Sequence, residues 1–157
     1  MNTESEINNL KIKYITNINQ SFPESNRLII EIQKSRDIKE IDFIYQKYLE
    51  IFRIRTRKIF NPFIDEICSL ILNSKNKNEF EFINQKFEIF PLINKYKLNN
   101  GSNYINQIRF AKNFEELEDI LINLFSSCGN KSIDLKKLLK NYWDKYEIDK
   151  LFKICYE

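Results

Sequence analysis

Apolar positions along the chain recur every three to four residues and seldom alternate, which is the period of helices with one buried face rather than of strands. Ile41, Ile44, Tyr48, Ile51, Phe52 and Ile59 illustrate this: at roughly 100° per residue they share one side of a helix. Punctuation between such runs is sparse. Phe22-Pro23, Asn61-Pro62, Phe90-Pro91, the run 98–103 and the run 126–130 should each end a helix. Proline lacks the donor N–H and pushes the preceding residue out of the helical region, while Asn, Ser and Gly favour turns. The pattern predicts helices over 3–20, 25–35, 38–60, 62–73, 78–90, 103–110, 113–126 and 133–154, the last broken near Tyr146. The expected fold is all-α, a single helical domain over 1–157 built as an irregular bundle of about 6–9 helices.

An alternative organisation, degenerate helix-hairpin repeats of about 37 residues, lies within the same pattern. Ser35 to Tyr48 overlays Ser74 to Phe87 at an offset of 39, with Ser35/Ser74, Glu40/Glu79, Phe43/Phe82, Ile44/Ile83, Gln46/Gln85 and Lys47/Lys86 identical. A fainter copy starts at Asn113. Thr3/Glu6, Asp37/Glu40, Asn76/Glu79 and Asn113/Glu116 all have the spacing of a capping box, in which a short polar side chain accepts from an orphan amide and the Glu reaches back to the helix start. The intervals of 34, 39 and 37 residues suit stacked hairpins.

Composition changes the picture mainly by what it lacks. There is no His and no Val, one Ala (Ala111) and two Gly, while Lys outnumbers Arg nineteen to six. Favoured residues share A/T-rich codons, so the bias reads as an AT-rich genome, and the strand propensity of the many Ile is discounted accordingly. Without His, neither Ser-His nor Cys-His activation can be built, and Gly101 and Gly129 stand alone, so no glycine-rich phosphate loop exists. The chain is expected to be non-enzymatic, with no cofactor and no metal. Cys68, Cys128 and Cys155 are odd in number and lack metal-ligand spacing, which fits a reducing compartment. An acidic N-terminus and the absence of any apolar run near the roughly 18 residues that span a bilayer point to a cytoplasmic protein, in a cell or an infected host cell, with no membrane contact.

The net charge of +3 is small, but its position is informative: residues 51–100 hold nine basic and five acidic side chains. Arg53, Arg55 and Arg57, followed by Lys58, gather half of the arginines into five residues. Arg55 falls in the middle of the apolar face, with Arg53 and Arg57 opposite. A guanidinium there either grips phosphates or an acidic partner surface, or pairs internally with a carboxylate such as Asp65 or Glu66, because an unpaired buried charge costs several kcal/mol. The C-terminal stretch interleaves Lys136, Lys137, Lys140, Lys145, Lys150 and Lys153 with Tyr142, Trp143, Tyr146, Phe152 and Tyr156. Its acids and its Leu135, Leu138, Leu139, Tyr142 stripe favour an amphipathic packing helix over a single-strand stacking platform. Glu115, Glu116, Glu118 and Asp119 are explained by a helix start.

The segment from Arg57 to Phe63, with the later Pro91 to Lys97, is faintly similar to the arginine-bearing helix and a later helix of the small helical subunits of type III CRISPR effector complexes, over about a third of the chain. That resemblance implies an RNA- or DNA-backbone-binding subunit of a nucleoprotein complex. The residues themselves favour a non-catalytic helical binding protein that docks on a protein partner, in the manner of an inhibitor, an immunity factor or an assembly subunit, with Arg53, Arg55, Arg57 and Lys58 at the contact. The oligomeric state is left open.

Overall fold

Four polar side chains start helices where the repeat spacing places them. Thr3 Oγ1 accepts from the Glu6 amide at 3.1 Å, Asp37 Oδ1 from Lys39 at 3.1 Å, Asn76 Oδ1 from Glu79 at 2.8 Å and Asn113 Oδ1 from Glu116 at 2.9 Å. In the last two, the Glu reaches back as the spacing predicts, but one residue further. Glu79 accepts from the Lys75 amide and Glu116 from the Lys112 amide, each just before the cap.

The computed structural model describes residues 3–96, 98, 100–126, 135–144 and 147–156. Cys128, Gly129 and the side chains of Leu135, Leu138 and Trp143 lie outside the described residues. The fold is all-α, with no strand among the described residues. Its helices are α1 (Glu4–Asn17), α2 (Ser25–Lys34), α3 (Ile38–Arg57), α4 (Ile64–Leu72), α5 (Lys77–Phe87), α6 (Ile89–Lys95), α7 (Gly101–Phe110), α8 (Phe114–Phe125), α9 (Leu135–Asp144) and α10 (Ile148–Tyr156). The helix expected over 78–90 is broken after Phe87 and restarted. Pro91 does not end it but sits in the first turn of α6, where a missing N–H leaves no hydrogen bond unmade.

Contacts divide the chain into two units, residues 1–81 and 82–157, with the division inside α5. In the first, α2 and α4 pack on α3 and α1 packs on both α2 and α3, around Leu28, Ile32, Ile41, Ile51, Ile67 and Ile71, all at most 1% exposed. In the second, α7 joins α6 to α8, and α9 lies between α8 and α10. Its core is aromatic: Phe125 meets Phe152 edge-on at 4.9 Å, and Phe87 meets Phe90 at 5.0 Å. Both geometries let a ring edge face a neighbour's π cloud.

Each unit contains the same clasp. On α3, Lys47 Nζ donates to the carbonyls of Leu72 (3.2 Å) and Ser74 (2.6 Å), at the end of α4. On α5, Lys86 Nζ donates to those of Arg109 (2.8 Å) and Ala111 (2.9 Å), at the end of α7. Both lysines are 5% exposed, and each ammonium lies over a phenylalanine one turn earlier, Phe43 at 4.7 Å and Phe82 at 5.3 Å. The last carbonyls of a helix have no partner within it and carry its negative dipole end, so a cation is the natural cap. Burial pushes the Lys47 ammonium below the ordinary lysine range, with Glu31 and Glu79 pulling the other way. A weaker version closes the first hairpin, where Lys11 of α1 donates to Gln33 at the end of α2, exposed to water. Clasps, caps and the identities at offset 39 all support helix-hairpin repeats.

Replacing Lys47 with Met keeps the aliphatic packing but strands two carbonyls, so stability should fall by about 1–3 kcal/mol. Lys86→Met should cost a similar amount and Lys11→Met less than about 0.5 kcal/mol. Urea midpoints measure all three, and equal losses at Lys11 and Lys47 would refute the clasp.

Candidate functional site

α3 runs for 20 residues, and its amino-terminal half is held between its neighbours. Tyr14 of α1 stacks on Tyr45 with centroids 4.0 Å apart and donates its hydroxyl to Asp42, a bond that pushes the Tyr14 pKa up to about 12. Tyr48 Oη accepts from the Asn19 amide at 2.9 Å, fixing the chain between α1 and α2. Beyond Tyr48 the helix presents a mixed surface. Its buried residues there are Ile51 and Ile54, whereas Phe52, expected on the apolar face, is 41% exposed. The helix also ends at Arg57, with Lys58 in the left-handed conformation (φ 52°, ψ 33°), so Ile59 never joins that face. Phe52 leans on Phe22 and Tyr48, with centroids 6.0 and 6.1 Å away, and its remaining surface faces outward. Leu49, one turn earlier, is 49% exposed.

The four basic residues divide by environment. Arg55 is internal: Nε lies 2.9 Å from Glu24 Oε2, and Nη2 lies 2.9 Å from Asp65 Oδ1. Glu24, just before α2, is almost fully buried, while Asp65, at the start of α4, is open to water. The Glu24 bond is the main reason the Arg55 pKa stands above the ordinary arginine value. This is the internal pairing anticipated for Asp65, extended by Glu24, and it ties α3 to α4 and to the start of α2. Beneath it, Cys68 is fully buried, and burial pushes its thiol up to about 12. Arg53 pairs with Glu50 one turn back on α3. Arg57 and Lys58 are exposed and, among the described residues, have no ion-pair partner.

The second half of α3 therefore carries Leu49, Phe52 and Arg53, ends at Arg57 and Lys58, and holds Arg55 inside. Leu49 and Phe52 escaped the sequence reading because both are apolar and the 3.6 period admits either edge of a stripe. Glu24 was missed because it lies 31 residues from its partner. Elsewhere, two of the C-terminal aromatics are engaged in packing: Phe152 is fully buried, and Tyr156 donates to the Leu124 carbonyl at 2.7 Å. Leu139 is buried, as the amphipathic stripe requires. Among the described residues no cluster of three or more His, Cys, Asp or Glu could hold a metal ion, and no helix is long and apolar enough to cross a membrane.

The chain matches no protein-family model, no curated protein and no solved structure.

Truncating Arg55 to Ala leaves Glu24 as a buried, uncompensated charge. Stability should drop by about 2–3 kcal/mol, somewhat less than for a fully enclosed pair because Asp65 is solvated. Asp65→Ala should cost under about 1 kcal/mol, as exposed pairs do. Comparable losses for the two, in chemical unfolding, would contradict this division. The Cys68 thiol should resist maleimide at pH 8 in the native protein and react once urea unfolds it, because both burial and a raised pKa suppress the thiolate. Mass-spectrometric mapping of the label checks it, and prompt native labelling at Cys68 counts against the packing described.

Proposed function

We propose that the chain is a non-catalytic helical binding protein that works by docking on a protein partner through the outer face and carboxyl end of α3, in a reducing cytoplasmic setting. One observation carries this reading: Leu49 and Phe52, both large, apolar and over 40% exposed, lie on the half of α3 that ends at the exposed Arg57 and Lys58. Protein interfaces centre on such apolar and aromatic anchors, with arginine contributing at the edge and the polar rim excluding water. Isolated exposed apolar side chains are ordinary; two of them one turn apart on one helix form a small apolar surface. A chain without His and with two isolated glycines supplies neither a Ser-His or Cys-His pair nor a glycine-rich phosphate loop, which supports the non-catalytic half of the proposal. Cys68 is a buried free thiol, in keeping with a reducing compartment.

Affinity capture from cell extract tests the reading, using the intact chain, Leu49→Ser/Phe52→Ser and Arg57→Glu/Lys58→Glu, each with and without nuclease. A protein partner should survive nuclease, lose at least about tenfold in affinity with the apolar variant, and weaken only mildly as salt rises. Retention of every partner by both variants would remove α3 from the contact. Loss of all partners to nuclease, with affinity falling log-linearly in salt, would instead establish backbone binding to nucleic acid.

A further inference from the structure

A second exposed apolar surface, of opposite charge, lies in the unit formed by residues 82–157. Phe110 closes α7 and is 67% exposed, more than any other large apolar side chain described. Phe114 opens α8 and is 43% exposed, its ring meeting Phe82 edge-on at 5.0 Å. Around this pair Glu115, Glu116, Glu118 and Asp119 outnumber Arg109 and Lys112 by four to two. The Arg109 guanidinium is drawn over the Phe110 ring at 5.0 Å, and Glu116 accepts from the Lys112 amide, while Glu115 and Asp119 face water.

The two surfaces answer each other. Each offers two large exposed apolar side chains close in the chain, Leu49 and Phe52 one turn apart on α3, and Phe110 and Phe114 on either side of the α7–α8 corner. The helix carrying the first ends at the exposed cations Arg57 and Lys58, and the helix that Phe114 opens carries the exposed carboxylates Glu115 and Asp119 near its start. Neither surface suits its own image, because a two-fold contact would set like charges against each other, whereas the pair together brings apolar to apolar and cation to carboxylate. We propose that copies of this chain associate head to tail, the α3 face of one seated on the α7–α8 corner of the next. This rests on reading α3 as a docking face and names a second copy of the chain as its partner. Such a contact closes on itself, as a reciprocal pair or a larger ring, or continues as an open chain.

Sedimentation of the intact chain, from micromolar concentrations to about 1 mM, should show assembly that grows with concentration and weakens severalfold between low and high salt. Leu49→Ser/Phe52→Ser and Phe110→Ser/Phe114→Ser should each sediment as monomers. Mixed in equal amounts they should form a one-to-one complex and nothing larger, because each retains the surface the other lacks. If either variant loses its helical circular dichroism, Arg57→Glu/Lys58→Glu and Glu115→Lys/Asp119→Lys replace the pair; each alone should be monomeric, and their mixture should assemble. A monomeric intact chain at every concentration, a single variant that still assembles, or a mixture that stays monomeric overturns the proposal. An intact chain that remains monomeric yet captures a different protein through Leu49 and Phe52 overturns self-association and leaves the docking face standing. Unchanged capture by the α3 variants removes the docking face itself.

Discussion

A lysine ammonium buried against the carboxyl end of a helix is the constraint on which this structure turns. A helical hairpin must bring one helix end into its own interior, and the last carbonyls there have no partner inside the helix. Where they are buried, as at Ser74 and Ala111, leaving them unpaired would cost more than most single contacts return. Lys47 and Lys86 meet this need identically, each reaching two carbonyls two residues apart across its own hairpin and resting over a phenylalanine. The clasp demands a small residue at the helix exit, and Ser74 and Ala111 occupy that place, both nearly fully buried, with Ser35 at the same position in the first hairpin. Two residues later in all three stands the polar cap of the following helix, Asp37, Asn76 or Asn113.

With the hairpin closed in this way, α3 is left with a free half. The clasp, the Tyr14–Tyr45 stack and the Tyr48–Asn19 hydrogen bond all lie on its first eleven residues. Past them the helix is held by its Ile51–Ile54 stripe and by Arg55, and the arginine cluster thereby divides its labour. Arg55 spends its charge on Glu24 and Asp65, and that internal tie keeps the end of the helix in place. Arg57 and Lys58 sit beyond the tie, where the same charge faces water.

Much of this was legible in the sequence. Helix positions followed from the three-to-four period and the sparse breaks, and the capping pairs marked the starts of α1, α3, α5 and α8. What escaped did so for identifiable reasons. Pro91 reads as a stop from its chemistry alone, yet in the first turn of a helix the same chemistry is harmless, so α6 went unseen. Lys47 and Lys86 were visible as identities at offset 39, but a lysine is ordinarily exposed, and only the fold shows the carbonyls that reward its burial. Phe52, read on the apolar face, is exposed while Ile54 is buried, because periodicity leaves the edges of a face open and tertiary contacts decide them. Glu24 shows the other limit: its pairing with Arg55 depends on how α2 returns along α3, which no local pattern encodes.

The reach of the clasps bears on how such a chain acquires its shape. Lys11 bridges 22 residues, Lys47 bridges 25 and 27, and Lys86 bridges 23 and 25, so every closing contact is made within a single hairpin. Closing a loop of that size costs little more entropy than closing one half as long, and topologies dominated by nearby partners fold fast. A hairpin emerging from the ribosome already carries its own lock, and it can shut while the helix that follows is still inside the exit tunnel.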